Sequence, residues 1–361
     1  MAKKERNSNI ELLRILSVMG VIVLHYNNPL IGKGIIFAKE GSVNFYILYL
    51  LESVFACSVN LFMLISGYFM CKLQKRSLWR LVELIFQVMV FQEAIYLVRV
   101  AFRVETFQIK SVLTSLIPAN YFVILYCAVF LISPFINILL NGLTLKSFRM
   151  FIIISIVLFS IYPTIVDVLG ELRGNQFAGL STIGMYGSQY GYQIVNFLLM
   201  YLIGASFNKG GHSKLADIES WKLVLFLTIN AVLIIIWARV NDKIGYFTER
   251  SAWEYCNPLI IFEAMIIFVL FSRLKVGVNK IINNFSDAVF TVFLLHQVFV
   301  PYLNIEKFVN SNTFIMIFHI FSSMIGIYLI CWCVHKVYQW ITNPIFNKLS
   351  LKYNIMFEIE N

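Results

Sequence analysis

Apolar residues in this chain come in long unbroken runs. From residue 10 onward, stretches near twenty residues alternate with short polar connections, and a helix of that length matches the hydrocarbon core of a bilayer. The runs fall at approximately 10–28, 44–70, 80–101, 121–140, 149–169, 192–207, 221–238, 255–272, 285–303 and 313–337. This pattern predicts an all-α polytopic membrane protein, a bundle of about ten transmembrane helices whose sixth run is the shortest. No internal repeat, low-complexity linker or coiled-coil heptad breaks the alternation. No connection is long enough for a soluble unit, so residues 1–361 read as one integral membrane domain with no fused soluble domain.

Composition agrees. Hydrophobic residues make up 59% of the 361 residues and charged residues only 13%, with a mean hydropathy of +0.77, so there is too little polar surface to cover a water-soluble globule of this size. The net charge of +10 would suit nucleic acid, but the basic residues sit in short clusters between apolar runs, which is a topology signal and points away from a nucleic-acid partner. The connections on the side of the N-terminus hold 18 Lys and Arg against 10 on the other side, and Arg14, inside the first run, completes the 29. Both termini are therefore expected to be cytoplasmic, in a multi-pass protein of the cell membrane. Lys3, Lys4 and Arg6 before the first apolar run resemble a signal peptide, but no small-residue cleavage site follows, so a retained signal anchor is expected. The six cysteines show no CxxC pair, and neither a metal nor a disulfide is indicated.

The first run, RILSVMGVIVLH, carries the most informative pair. Arg14 and His25 are eleven residues apart, three helical turns and a little more, so they lie on one helix face separated by roughly 16 Å of helix rise. Ionisable residues inside a membrane helix are costly and point to function. A cytoplasmic thioester donor needs cations for its phosphates at the water boundary and a base or acceptor where the acyl group lies, and this pair supplies both. Histidine suits the second task because its neutral ring accepts a proton near physiological pH. The plainer reading is that Arg14 snorkels to the interface, paired with Glu11, while His25 caps the outer end of the helix near Asn27 and Asn28.

Other candidates are weaker. The second run ends in NLFMLISGYF, where Ser66 and Gly67 permit close backbone approach. Lys72, Lys75, Arg76 and Arg80 follow it, and Arg76, Arg80, Glu83 and Gln87 recur at helical spacing, so Arg76 and Arg80 are candidates for donor phosphate, with Lys75 in support. Glu52, Gln92, Glu93, Glu263, Asp287, His296 and His319 stand inside runs, where such residues usually satisfy one another. Glu263 and His296 lie deepest, and a carboxylate that holds a histidine in one tautomer would be useful, although nothing in the sequence joins them. His335 reads as a solvated helix-end residue. The external connections 102–120, 170–191 and 239–254 are rich enough in polar and aromatic residues to form an outer vestibule.

These segments together resemble acyltransferase family 3, the integral membrane O-acyltransferases, and in particular the compact members encoded with surface polysaccharides. Arg14 and His25 stand in the family's R, ten residues, H arrangement; LFMLISGYF resembles its FF-x-x-SG segment with Met63 for the second aromatic; NYFVILYCAVFLISPFIN, which begins at Asn120 and Tyr121, resembles its aromatic span with Phe122 where tryptophan is frequent. GYQIVNFLLMYLIG and VFTVFLLHQ, the latter ending in His296 and Gln297, resemble later segments. The resemblance implies transfer of an acyl group, by default acetyl, from cytoplasmic acyl-CoA to a hydroxyl of a surface polysaccharide or its lipid-linked precursor, with acetyl-CoA as substrate and no bound cofactor. It implies His25 as the catalytic residue and Arg14 as donor-binding. Some members carry an extra esterase-like domain; without one, the acyl group passes directly or through separate glycan-assembly proteins. The competing reading, a non-catalytic transporter of a glycan or small molecule, fits the span count and buried charges, but the chain shows no paired interrupted spans in corresponding halves.

Overall fold

The computed structural model describes residues 6–72, 75–174, 179–183, 191–210, 213–244, 250–353 and 356–358. These residues form helices joined by turns and short connections, together with two three-residue strands. Each apolar run becomes helix, and polar residues mark where several begin. Asn7 precedes α1 (Ser8–Asn27) and its side chain accepts from the Asn9 amide. Ser42 caps α2 (Val43–Phe55), which continues into α3 (Ser58–Met70) as one apolar stretch. Satisfying these first amides matters most in lipid, where water cannot do it.

Around these lie α4 (Trp79–Ala101), α5 (Tyr121–Gly142, capped by Asn120), α6 (Leu145–Ile156, capped by Thr144) and α7 (Tyr162–Arg173), the last two joined by a π turn at Val157–Ile161. Then come α8 (Ile194–Asn208), α9 (Ser220–Ile244), α10 (Pro258–Ser272, with Asn257 as cap and proline at its first turn), α11 (Lys280–Ser286), α12 (Val289–Phe299) and α13 (Thr313–Tyr353). Seven stretches are long and apolar enough to cross a bilayer, eight if α11 and α12, bent by 55°, count as one. The remaining two predicted runs, α8 and α10, have 15 residues each, a rise of roughly 22 Å, shorter than the hydrocarbon core. The last predicted run, 313–337, is longer than expected: α13 continues to Tyr353 after its apolar character fades.

The first helix is the axis of the bundle. It packs against α2, α3, α10, α11, α12 and α13. Ile10, Leu13, Val18 and Ile22 are almost wholly inaccessible, whereas α9 presents Val224, Ile229, Leu233 and Ile236 outward, as a lipid-facing helix would. The closest crossing is between α3 and α8. A Cβ on Gly67 would lie 2.0 Å from the Tyr201 carbonyl oxygen, and one on Gly204 would lie 1.9 Å from that of Leu64, so both positions require glycine. This bears out the reading of Ser66-Gly67 as a packing element.

Buried amides tie helices together where lipid offers no hydrophobic drive. Asn196 donates to Asn60 at 3.1 Å, Asn60 to the Tyr255 carbonyl at 2.7 Å, Tyr201 to Asn137 at 2.8 Å and Asn208 to the Tyr68 carbonyl at 2.8 Å. At the N-terminal end of α1, the Asn279 amide donates to Ser8 at 2.7 Å and the Val276 amide to Asn9 at 3.1 Å, which locks this end to the start of α11.

One feature of the basic connection departs from expectation. Arg76 is not on the helix that carries Arg80. It lies in β1 (Lys75–Ser77), which pairs antiparallel with β2 (Met356–Glu358), Lys75 opposite Glu358 and Arg76 opposite Phe357. A strand places alternate residues on opposite faces, so the proposed helical stripe begins only at Arg80.

Candidate functional site

Two cavities lie along α1, one toward each end. The one at the N-terminal end, called inner to set it apart from the outer one at the C-terminal end, has about 470 Å³ and is lined by Arg6, Glu11, Arg14, Ser66, Arg80 and Asp287, with Phe62, Phe122 and Phe293 closing it. Glu11, Arg14, Ser66, Arg80 and Asp287, all singled out in the sequence, therefore come together here. Arg14 Nη1 sits 3.4 Å from Glu11 Oε1, with Glu11 nearly buried and Arg14 about one-third exposed. Arg6 pairs with Asp287. Three guanidiniums against two carboxylates leave this cavity with an excess of positive charge, and guanidinium forks suit phosphate oxygens. Ser66 turns its hydroxyl to the Phe62 carbonyl at 2.8 Å.

The outer cavity, about 550 Å³, is lined by His25 and by Asn27, Glu52, Tyr192, Trp253 and Glu254. The Asn27 amide donates to Glu52 Oε2 at 3.0 Å and to the Leu48 carbonyl at 3.1 Å. The Trp253 indole donates to Ser53 at 3.3 Å and packs edge-on against Tyr49, which holds the ring in place. Trp253 and Glu254, from the connection 239–254, line this cavity; residues 175–178, 184–190 and 245–249 of the connections expected to form a vestibule lie outside the described residues.

On the wall of the outer cavity His25 meets a second histidine. The His25 and His296 rings stack with centroids 4.8 Å apart and planes 14° from parallel. His296 Nδ1 is 3.0 Å from the Val292 carbonyl, which fixes its proton on that nitrogen and leaves Nε2 buried without a partner among the described residues. The Gln297 side-chain amide lies 2.8 Å from His25 Nε2. An NH₂ group can only donate, so Nε2 accepts and the neutral ring carries its proton on Nδ1. That Nδ1 is buried and unpartnered among the described residues.

Rings connect this pair to the inner cavity. Phe293 lies one turn before Gln297 and 6.2 Å from His296; it packs on Phe122 at 4.9 Å, and Phe122 on Phe62 at 6.0 Å. The three phenylalanines form a collar whose inner side faces the guanidiniums. Arg14 and His25 thus line two different cavities, with the phenylalanines on the wall of the one that holds Arg14.

The remaining candidates fall elsewhere. Lys75 and Arg76 lie in β1, their side chains outside the described residues. Tyr121, at the start of α5, packs on Tyr192 at 4.9 Å and so stands one ring behind the outer cavity. Glu263 is fully buried in α10, and neither carboxylate oxygen has a hydrogen-bond partner among the described residues, so it does not hold His296; the residue beside His25 that sets a tautomer is Gln297. His335 is also unlike its expectation. It is 6% exposed and accepts or donates at 2.7 Å to Thr291, which takes the Gln87 amide at 2.8 Å, because α13 runs on past the apolar stretch and keeps this residue inside the bundle. His319 bonds Tyr26 at 3.0 Å and stacks on Phe308. Among the described residues, no three His, Cys, Asp or Glu side chains group as metal ligands.

A family model described as an acyltransferase domain, that of acyltransferase family 3, matches residues 7–336. The chain belongs to this family, and with its membrane-length helices it is a multi-pass membrane protein of the acyltransferase class. No characterised protein and no solved structure matches it.

Proposed function

We propose that the protein transfers an acyl group, by default acetyl, from acyl-CoA at the inner cavity to a hydroxyl of a surface polysaccharide or its lipid-linked precursor at the outer cavity. In this reading both termini and the inner cavity face the cytoplasm of a cell enclosed by this membrane, and ten spans include α8 and α10. The observation that supports it is a run of neighbouring side chains: Arg14 and Arg80 share a cavity wall with Phe62, Phe122 and Phe293, Phe293 packs by His296, and His296 stacks on His25.

The donor's phosphates pair with Arg6, Arg14 and Arg80, with the Lys75–Arg76 strand close by in sequence. Its pantetheine arm, comparable in length to the roughly 16 Å of rise between Arg14 and His25, threads the collar and brings the thioester to the histidine pair. An acceptor hydroxyl displaces the Gln297 amide at His25 Nε2 and gives up its proton there. The alkoxide oxygen bonds to the thioester carbonyl carbon, the C–S bond breaks, and the leaving thiolate takes the proton back from His25. His296, stacked on His25 and itself held by Val292, keeps the ring in plane.

His25→Ala, checked for membrane level, is expected to remove acetyl esters from the cell-surface glycan by NMR; undiminished acetylation would rule out the catalytic role. General base catalysis is worth about 10²–10⁴-fold, so a residual signal of a few per cent or less is the expected size.

A further inference from the structure

Beside the outer cavity, at the same end of α1, lies a third one that the proposed reaction does not use. It has about 780 Å³ and is lined by Gly32 and Lys33 on one side and by Pro301, Asn304, Glu306 and Lys307 on the other. Both sides are built to hold their lysines in place. The Gly32 amide donates to the His25 carbonyl at 3.1 Å and the Lys33 amide to the Asn28 carbonyl at 2.8 Å, so Lys33 hangs directly on the end of α1. A Cβ on Gly32 would lie 2.2 Å from the Tyr26 carbonyl oxygen, and this turn therefore requires glycine. Across the cavity the Lys307 amide donates to the Asn304 carbonyl at 3.1 Å. The Asn310 side chain donates to the Phe37 carbonyl at 3.0 Å, which ties the two segments together.

Charge and level point to a ligand. Two ammoniums face one carboxylate on this wall, and neither lysine is in an ion pair with a described residue. Orientation in the membrane does not explain them, because they stand on the side that holds 10 Lys and Arg against 18. The 20 residues of α1 rise roughly 30 Å, the thickness of the hydrocarbon core, so the residues after Asn27 emerge at the level of lipid phosphates. Tyr302, next to Pro301, and Phe314, at the start of α13, are about three-quarters exposed, as aromatic residues at that level are. One segment also serves both cavities: Pro29, Leu30 and Ile36 line the outer one, while Gly32 and Lys33 line this one.

We propose that this cavity holds the phosphate of a membrane lipid, and that the acceptor at the outer cavity is a glycan still joined to its lipid through a diphosphate. This rests on the assignment of the outer cavity to the acceptor. Lysine ammoniums suit phosphate as point charges, and their surroundings at the interface leave the lipid tail in the bilayer. With the diphosphate at Lys33 and Lys307, the first sugars lie across the 29–37 segment from the outer cavity.

The test places full-length protein in phosphatidylcholine nanodiscs without acyl donor and maps lysine acetylation by sulfosuccinimidyl acetate with mass spectrometry. The probes are geranylgeranyl diphosphate, geranylgeraniol, and phosphatidylglycerol built into the disc. The diphosphate is expected to slow modification of Lys33 and Lys307 several-fold and to leave Lys39, exposed on the same side, unchanged; the alcohol should protect neither. Lys33→Gln/Lys307→Gln should weaken binding of tritiated diphosphate about tenfold or more, the worth of two cations at a lipid surface. Protection by phosphatidylglycerol equal to that by the diphosphate overturns the proposal, since the site would then hold ordinary headgroups. Absence of protection overturns it too, as does unchanged binding in the double variant, which would put the diphosphate at the inner guanidiniums. Failed protection with His25-dependent transfer intact sinks only this inference; protection with transfer unaffected by His25→Ala sinks only the other.

Discussion

The inner and outer cavities are built from opposite materials. The inner one sets Arg6, Arg14 and Arg80 against Glu11 and Asp287 and is closed by phenylalanine; the outer one sets Trp253, Tyr192 and two carboxylates around an imidazole. Among the described residues they share no lining residue, and stacked rings lie from Phe293 through His296 to His25. The difference teaches that the two ends suit different ligands: in the proposed reading, guanidiniums take the donor's phosphates at one end, and an aromatic, hydrogen-bonding wall takes the acceptor at the other.

That comparison can be broken in several ways. The largest effect should come from the residue at the junction. Gln297→Glu replaces a donor by an acceptor, which forces the proton onto His25 Nε2 and removes the lone pair the reaction uses; kcat should fall by about 10²-fold or more, well beyond the loss in Gln297→Ala. Equal losses in the two variants would show that Gln297 only packs. Next, Arg14→Ala should raise the KM for acyl-CoA by about 10–100-fold, the usual worth of a charged hydrogen bond, and leave the acceptor KM unchanged. A change in the acceptor KM instead would mean that the cavities are not separate. Phe293→Ala should open the collar and raise acyl-CoA hydrolysis in the absence of acceptor, measured as free thiol; unchanged hydrolysis would remove the collar's role as a water barrier. The smallest effect is ionic. Raising salt from 0.05 to 0.5 M shortens the screening length from above about 10 Å to a few ångströms, so donor binding should weaken several-fold while binding of a neutral glycoside holds constant.

Much of this was legible in the chain. Every predicted run is helical, because a span must satisfy its own backbone in lipid and the apolar stretches leave it no other choice. Arg14 and His25 could be placed on one face because helix geometry alone relates them. What was not legible depends on contacts between distant segments. His25 and His296 are 271 positions apart, and no local pattern orients one ring over the other. The hand-off from Arg80 on a helix to Arg76 on a strand depends on β2, near the far end of the chain. Trp253 and Glu254 carried no periodic signal, since they sit in the short helix Arg250–Trp253 and the connection after it. The bend between α11 and α12 has no proline or glycine to announce it; Asp287 stands at the break and is engaged by Arg6. Residue type pointed to polar groups inside the apolar runs, but Glu263 and His296, equally deep in their runs, have different surroundings, and only packing tells them apart.

The ribbon that joins Lys75–Ser77 to Met356–Glu358 has a consequence for biogenesis. Its second strand is synthesised only after every apolar helix of the bundle, so a ribosome-bound chain can have all its membrane helices inserted while the basic segment after α3 still lacks its partner. The basic segment can pair only once residues 356–358 have been made, and a nascent chain stalled at Tyr353 would reach the bilayer with that segment unpaired.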